Sequence, residues 1–127
     1  MSLIDRIFRR DAGTRKRGVA AELLAERYLT ARGLIVEARN YRVRGGEIDL
    51  VCRDGESLVF VEVRLRSHAD YGGAAASITP TKQRRIVLAA RHYLMARREM
   101  PCRFDCVVMD TLEKDRIEWI RDAFAAD

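Results

Sequence analysis

The chain has 127 residues, 48% hydrophobic and 34% charged, which suffices for one domain with a single core and excludes a second. Its 24 lysines and arginines exceed its 19 aspartates and glutamates, and the resulting charge of +5 favours a polyanion over a cation as partner. No apolar run is long enough for a signal peptide or a membrane span, so we expect no membrane partner.

The basic charge is concentrated at the beginning of the chain, where residues 1–17 hold six basic and two acidic side chains. We predict that residues 1–17 form a basic, flexible N-terminal segment and that residues 18–127 form a single domain. The segment fits a polyanion, although solvated charge without a partner has the same composition. Three cysteines leave one thiol over in any pairing, which predicts a reducing, cytoplasmic location and cysteines that serve in packing.

The first predicted element is an amphipathic helix over residues 19–31, because apolar residues recur on one face at about 100° per residue. Gly33 supplies its C-terminal stop. Runs of β-branched and aromatic residues then predict three strands, over residues 34–36, 47–52 and 58–65. Asp54 and Gly55 are typical of a two-residue hairpin loop, so the last two strands should be antiparallel neighbours.

The second half begins with a loop of small residues over 67–77. A second helix follows, because Thr79 can cap it and Pro80 loses no hydrogen bond at its first position. Strands over 103–109 and 116–120 complete the chain. The order of helix, three strands, helix and two strands predicts an α/β fold with a mixed β-sheet flanked by α-helices.

An Asp54-Gly55 loop would place acidic residues together on one face of the hairpin. Because strand side chains alternate, that face carries Glu47, Asp49, Phe60, Glu62 and Arg64. The opposite face, predicted to be the core face, carries Ile48, Leu50, Val59, Val61, Val63 and Leu65. Asp49 and Glu62 would then lie diagonally across the ladder, roughly 7–8 Å apart at the backbone, which is close enough for both to reach one ion.

Two convergent carboxylates suit a hard cation such as Mg²⁺, which keeps several waters and takes phosphate oxygens from a substrate. Like charges so close together are unfavourable without a cation. The alternative is an exposed sheet face on which the acids pair with neighbouring arginines, namely Arg42, Arg44, Arg64 or Arg66. The spacing of the residues leaves both interpretations open.

Four motifs in order resemble the small bacterial YraN family: GEIDLV, FVEVRLR, a lysine within TPTKQRRI, and RFD at the start of a strand. The resemblance extends from about residue 18 to residue 124. That family is similar to archaeal Holliday junction resolvases and belongs to the restriction-endonuclease-like PD-(D/E)xK superfamily. The resemblance therefore implies a restriction-endonuclease-like fold and a nuclease-like domain over residues 18–127.

The resemblance also implies roles for single residues. Asp49 and Glu62 correspond to the two metal carboxylates of the superfamily, and the Val63 carbonyl to a further ligand of Mg²⁺ or Mn²⁺. Glu22 matches the helix glutamate that resolvase-like members add to the site. Without the resemblance, Glu22 is equally well an ordinary exposed acid on a helix.

Arg64 departs from the family pattern, which usually has lysine at this position. Arginine stays protonated and cannot act as a general base, but it can neutralise charge that develops on a phosphate. Lys82 lies on the apolar stripe of the second helix and is a candidate substitute for the missing lysine. Alternatively, its side chain extends along the apolar surface and keeps its charge in water.

Further basic residues suit contact with nucleic acid, and no acid interrupts the second helix before Glu99. Such residues lie along phosphates, which give affinity without sequence readout, or they form a solvated face. The predicted nucleic-acid-binding residues are Arg15, Lys16, Arg17, Arg42, Arg44, Arg66, Arg84 and Arg91.

The sequence leaves more than one functional hypothesis open. The first is a metal-dependent endonuclease that cuts structured or branched DNA, as a monomer or a homodimer, with Glu22, Asp49, Glu62, Arg64 and Lys82 in its site. The second is a DNA-binding protein that keeps the nuclease fold but has lost turnover with the change at Arg64. An RNA-processing or ribosome-associated role fits the same charges.

Overall fold

A computed structural model describes residues 18–65, 78–97, 99–110, 112 and 116–126. Within these residues the chain forms two helices and five strands. In order they are α1 (18–30), β1 (Ile35–Val43), β2 (Gly46–Asp54), β3 (Ser57–Leu65), α2 (Pro80–Leu94), β4 (Cys102–Met109) and β5 (Ile117–Phe124). The predicted order of elements is confirmed, although β1 is much longer than the strand predicted over 34–36. The N-terminal segment 1–17 and the loop 67–77 lie outside the described residues.

The five strands form one sheet in the order β1-β2-β3-β4-β5. β3 and β4 are parallel, and the other neighbouring strands are antiparallel. A parallel pair needs a crossover connection, and α2 lies within the connection between β3 and β4. The fold is therefore a mixed α/β sheet flanked by helices, consistent with a restriction-endonuclease-like domain. Neither described helix is long and apolar enough to cross a membrane.

The sheet is covered on both faces. On one face, here called the α1 face, Ala21, Ala25 and Leu29 of α1 pack against Val59 and Val61. On the other, the α2 face, Ile86, Ala89 and Ala90 of α2 pack against the fully buried Phe60. Phe104 and Val108 of β4 belong to the same cluster. The prediction of a single core face was wrong for Phe60, because α2 provides a second apolar layer. Each large apolar side chain buried in this way contributes about 1.5–3 kcal/mol.

Local sequence signals define the end of α1 and the start of α2. Gly33, at φ 98°, ends α1, and the Leu34 amide donates to the Leu29 carbonyl at 3.2 Å, as in a Schellman cap. The Thr79 hydroxyl accepts from the Lys82 amide at 3.2 Å, with Pro80 at the first position of α2. The predicted stop and the predicted cap are both confirmed.

Gly46 allows α2 to lie directly against the start of β2. A Cβ atom at this position would lie 2.6 Å from the Arg85 carbonyl oxygen and 3.0 Å from the Ala89 amide nitrogen. No side chain fits in that space, so any larger residue would push the helix away from the strand. The contact holds the first turns of α2 beside the acidic residues that follow Gly46.

The β2–β3 hairpin differs from its predicted register by two residues. Asp54 pairs with Ser57 and Leu50 pairs with Val61, so the loop is Gly55-Glu56 rather than Asp54-Gly55. Gly55 has φ 61°, which suits the first loop position of a hairpin where glycine is favoured. The shift is even and keeps each β3 side chain on its predicted face. Extended by one pair, this register puts Asp49 directly opposite Glu62 instead of diagonal to it.

The alternation of β2 breaks at Asp49. Ile48 packs into the cluster on the α2 face, whereas Leu50 packs into the cluster on the α1 face. The prediction that Ile48 and Leu50 share a face was therefore wrong. On β1, Asn40 adopts the left-handed φ of 49°, and the pairing passes from Arg39 opposite Leu50 to Tyr41 opposite Ile48. Asp49 consequently lies where the two faces of the sheet meet.

Candidate functional site

A cavity of about 210 Å³ opens where α1, β2, β3 and the first turns of α2 meet. Four of its lining side chains are acidic and two are basic, while the others are small or apolar. The lining residues are Gly18, Ala21, Glu22, Glu47, Asp49, Glu62, Val63, Leu65, Lys82, Arg85 and Ile86. The structure thus brings together Glu22, Asp49, Glu62 and Lys82, which come from four separate elements of the chain.

The half-buried Asp49 and the buried Glu62 form the base of the cavity. Glu62 is 5% exposed, and its side chain hydrogen-bonds to Asp49. The Val63 amide donates to Asp49 Oδ2 at 2.8 Å and fixes the carboxylate against β3. Burial, and then the charge of Glu62, raise the pKa of Asp49 to about 8. At neutral pH the pair therefore retains a proton between its carboxylates.

Lys82 reaches this acid pair from α2. Its Nζ lies 2.8 Å from Glu62 Oε1, and its side chain remains 41% exposed at the mouth of the cavity. Because the Thr79 cap binds the Lys82 amide, the residue belongs to the first turn of the helix. Of the two interpretations of Lys82, the structure agrees with the one in which the ammonium group contacts the acids, and not with the one in which the charge is held only by water.

Glu22 enters the cavity from α1, and the side chain of Asn40 hydrogen-bonds to it. Burial, followed by the charges of Glu47 and Glu62, raises the pKa of Glu22, while the bond to Asn40 opposes the rise. Glu22 is therefore a site-lining acid and not an ordinary exposed helix acid. Asn40 is the left-handed residue of β1 beside Asp49, so its backbone lies where the alternation of β2 changes and its side chain binds Glu22.

Three residues of the site were missed from the sequence. Arg85 lines the cavity because it follows Lys82 by three positions, a helical spacing that could have indicated it. Glu47 lines the cavity as well, and its carboxylate lies 3.4 Å from Arg42 Nε. Asn40 gave no signal, because its part depends on a backbone conformation that a strand pattern does not encode.

Arg64 lies on the same face as Glu62 but is not among the residues that line the cavity. It is half-buried, and its charge acts with that of Lys82 on the thiol of Cys106. Burial dominates there and raises the pKa of Cys106 to about 12. The position that holds lysine in the family pattern thus points toward the α2 face, whereas Lys82 occupies the cavity.

The predicted nucleic-acid-binding residues fall into two groups. Arg42, Arg44, Arg84 and Arg91 are exposed. The other four lie outside the described residues: Arg15, Lys16, Arg17 and Arg66. Within α2 there is no acidic side chain, and Arg84 and Arg91, seven positions apart, lie on the same side of the helix.

The cysteines agree with the packing role in two of three cases. Cys52 and Cys106 are buried, free thiols, and burial raises the pKa of each to about 12. Cys102 is exposed at the start of β4, so the packing interpretation was wrong for this residue.

The acid pair fits a divalent cation, although not a complete protein cage. Among the described residues, no three histidine, cysteine, aspartate or glutamate side chains converge to hold a metal. Mg²⁺ does not require three, because it is bound through one or two carboxylates and keeps several waters. Two hydrogen-bonded carboxylates, one of which holds a proton near neutral pH, are a donor set in which a cation can take the place of that proton.

Comparison with known proteins relates this chain to one protein family. The sequence profile of "Uncharacterised protein family UPF0102" matches residues 21–109. A UPF0102 protein of Dechloromonas aromatica is 59% identical over 114 residues, which cover 90% of this chain and 92% of the relative. One from Methylobacillus flagellatus is 56% identical over 109 residues, covering 86% and 96%. One from Cupriavidus taiwanensis is 60% identical over 114 residues, covering 87% and 84%.

Proposed function

We propose that this chain, which belongs to the UPF0102 family, is a metal-dependent endonuclease that acts on structured or branched DNA. The family match confirms the predicted membership of the YraN family. One observation carries the proposal. The half-buried Asp49 and the buried Glu62 lie against each other at the base of an open cavity, with the ammonium group of Lys82 at 2.8 Å from Glu62. This arrangement combines a place for a cation with a fixed positive charge beside it, as phosphodiester hydrolysis requires.

Asp49 and Glu62 would hold the Mg²⁺ or Mn²⁺ ion, with the Val63 carbonyl as a further ligand. The ion would supply positive charge at the scissile phosphate and lower the pKa of the attacking water. The Val63 amide keeps Asp49 in place, since it donates to one carboxylate oxygen and leaves the other for a ligand. The acids of the site would thus be oriented before the substrate binds.

Lys82 and Arg85 would neutralise the phosphate. An ammonium group has three donors, so the single contact of Lys82 with Glu62 leaves others for a phosphate oxygen. Arg85 lines the same cavity three positions later on α2. In this proposal Lys82 takes the role of the lysine that the family pattern has at position 64, and Arg64 acts on the substrate only as a more distant charge.

Glu22 is the candidate proton acceptor for the attacking water. Burial raises its pKa toward neutrality, which makes it a better base than a fully exposed glutamate. The bond from Asn40 restricts the Glu22 side chain to the cavity. A base held in place by a second side chain is the arrangement that general base catalysis favours.

The outer side of α2 would bind the DNA backbone. Arg84 and Arg91 are exposed, and α2 contains no acid that would repel phosphates. Arg42 and Arg44 extend the basic surface onto β1 and the turn after it. These contacts are to phosphate and carry no sequence information, which suits recognition of a DNA shape.

A second candidate is a DNA- or RNA-binding protein without turnover, and the Lys82–Glu62 ion pair favours it. Lysine already neutralises one of the two carboxylates at 2.8 Å, so the site can be balanced without a metal ion. In that case the basic surface of α2 would remain functional, whereas the acids would contribute only to the local structure.

Cleavage assays separate the two candidates. Purified protein with Mg²⁺ or Mn²⁺ is tested on four-way junctions, flaps, single strands and duplexes of both DNA and RNA. The nuclease proposal expects metal-dependent cleavage of a structured DNA, loss of cleavage in Asp49→Ala, and none in EDTA. Glu118→Ala is the matched control, because it removes an exposed acid on β5 far from the cavity. Binding without cleavage by the wild type would support the second candidate.

The salt dependence of binding tests the partner. Affinity for DNA should fall steeply with salt, and Arg84→Ala and Arg91→Ala should each reduce the slope by roughly one unit per lost phosphate contact. A slope that stays unchanged in both variants would show that α2 does not contact phosphates. Absence of binding to any DNA or RNA would exclude both candidates.

A further inference from the structure

A second concave surface lies at the other end of α2 and has no part in the proposed chemistry. It is a pocket of about 490 Å³, called here the aromatic pocket, and it joins β1 to the end of the helix. Its lining residues are Tyr41, His92, Tyr93, Met95, Ala96 and Arg97. Met95 is 81% exposed and His92 is exposed too, so the large side chains of this pocket are accessible to a ligand from solvent.

The rings of the aromatic pocket are held by one another. Tyr41 meets Tyr93 edge to face at 5.1 Å between centroids, and its hydroxyl hydrogen-bonds to Nδ1 of His92. Tyr41 and His92 are tilted by 39° at 6.0 Å, so these two rings do not stack in parallel. Behind them, the Tyr93 hydroxyl donates to Glu37 at 3.0 Å. The result is a preorganised aromatic wall.

The charge around the aromatic pocket is positive toward solvent. Glu37 is its nearest acid, and Arg97 Nη2 lies 2.7 Å from Glu37 Oε1, with Arg53 Nε at 3.5 Å from the other oxygen. The exposed Arg91 precedes His92 on the same helix, which has no acid of its own. A flat ligand with an attached anion would therefore meet rings and positive charge together.

We propose that the aromatic pocket binds the base of an unpaired nucleotide of the substrate strand. Bases stack on tyrosine and histidine rings in many single-strand sites, and stacking tolerates any sequence because every base has a flat face. Arg91 would hold the adjoining phosphate. This inference rests on the proposed function, since it assigns a second contact to the nucleic acid that enters the cavity.

The spacing along α2 fixes where the base lies. Lys82 and His92 are ten residues apart, which is about 15 Å of helix at 1.5 Å per residue. Arg85 and His92 differ by seven positions, so the cavity and the pocket open on the same side of the helix. Stacked nucleotides advance by about 3.4 Å each, so the bound base would lie at most about 4–5 nucleotides from the phosphate in the cavity, and fewer if the strand is extended.

Photocrosslinking of the full chain tests the assignment without any need for cleavage. Oligonucleotides of DNA and of RNA carry a single 5-iodouracil at successive positions from a duplex–single-strand boundary, and crosslinked peptides are identified by mass spectrometry. The proposal expects a crosslink at Tyr41, His92 or Tyr93 that peaks at one position of the probe. Crosslinks confined to other parts of the chain would overturn it.

Affinity measurements supply the second readout. His92→Leu and Tyr41→Leu should weaken binding of a single-stranded probe by roughly tenfold to a hundredfold, and Tyr41→Phe should change it little because the ring stays. An abasic nucleotide at the crosslinking position should weaken wild-type binding equally and leave His92→Leu unaffected. Tyr28→Leu is the control, because it removes a ring under Arg32 on α1.

The outcomes of the two experiments remain distinct. Wild-type protein that crosslinks through the aromatic pocket but does not cleave would leave this inference standing and support the second candidate function. Protein that cleaves but shows no crosslink and no loss in His92→Leu would overturn this inference alone. Binding of an acidic peptide at the pocket in place of the oligonucleotide would overturn it too.

Discussion

Among the residues that the structure describes, buried acidic side chains occur in two places, and their surroundings differ. Asp105 in β4 is fully buried, and three groups of the protein donate to it: Arg103 Nε at 3.0 Å, Trp119 Nε1 at 3.0 Å and the Asp122 amide at 2.9 Å. Asp49 and Glu62 instead face each other and an open cavity.

The contrast distinguishes a structural carboxylate from a candidate ligand. The lone pairs of Asp105 are filled, and its bond to Asp122, which has φ 53°, fixes the irregularity at which the β4–β5 register shifts. Asp49 is fixed by a single amide, and its neighbouring charge is another acid, which raises its pKa. A buried acid whose charge is incompletely compensated indicates a binding site. A buried acid whose oxygens all accept hydrogen bonds indicates a structural role.

The largest expected effect concerns Asp105. Asp105→Ala should lower the free energy of unfolding by about 3–5 kcal/mol, because it leaves Arg103, Trp119 and the Asp122 amide without their shared acceptor. Asp54→Ala, which removes the more exposed partner of Arg103, should cost about 1 kcal/mol or less. Urea denaturation measures both, and equal losses would contradict a structural role specific to Asp105.

Substitution of Lys82 should have the next largest effect, in this case on the rate of cleavage. Lys82→Ala should reduce metal-dependent cleavage by about 10² to 10³, whereas Arg64→Ala should reduce it less, because Lys82 lines the cavity and Arg64 does not. Arg64→Lys should keep or raise the rate. Single-turnover rates at saturating protein measure the difference, and an Arg64→Ala loss larger than that of Lys82→Ala would reverse the assignment.

The contribution of Asp49 to stability should fall as pH rises, whereas that of an acid paired with a base falls as pH drops. Its pKa is raised in the folded state to about 8, so between its unfolded value of 3.8 and 8 the native state binds more protons than the unfolded state. Stability contributed by this group is therefore present at low pH and is lost as pH rises through that range.

Asp49→Asn should accordingly stabilise the protein at pH 8–9 by on the order of 1 kcal/mol and change little near pH 4. Thermal unfolding in EDTA across this pH range tests the prediction, with Glu118→Gln as a control that should show no such trend. Destabilisation of Asp49→Asn at pH 9 would mean that the carboxylate is well compensated, as Asp105 is.

Two substitutions of Asn40 separate the effect of its backbone conformation from that of its side chain. Asn40→Gly keeps the left-handed conformation and removes the bond to Glu22, whereas Asn40→Ala also adds about 1–2 kcal/mol of backbone strain. Both should lower the cleavage rate by about tenfold, but only Asn40→Ala should lose stability. If Asn40→Gly cleaves at the wild-type rate, the amide does not position Glu22.

Much of this structure follows from the sequence, because the signals are local. The helix over 18–30 with its Gly33 stop, the Thr79-Pro80 start of α2 and the order of elements along the chain depend on periodicity and capping within a few residues. The convergence of Asp49 and Glu62 was also predictable, because an error of two residues in the hairpin register preserves the face of each side chain on β3.

The tertiary structure alone decided how the site is completed. Packing of α2 against Gly46 places Lys82 and Arg85 over the acids, and no sequence spacing links β2 to a helix that begins 34 residues after Gly46. The alternation of β2 changes at Asp49, beside the left-handed Asn40 of β1, and the residue pattern of the strands does not show this change. Charge placement between elements distant in sequence depends on packing, and packing is not encoded in any single segment.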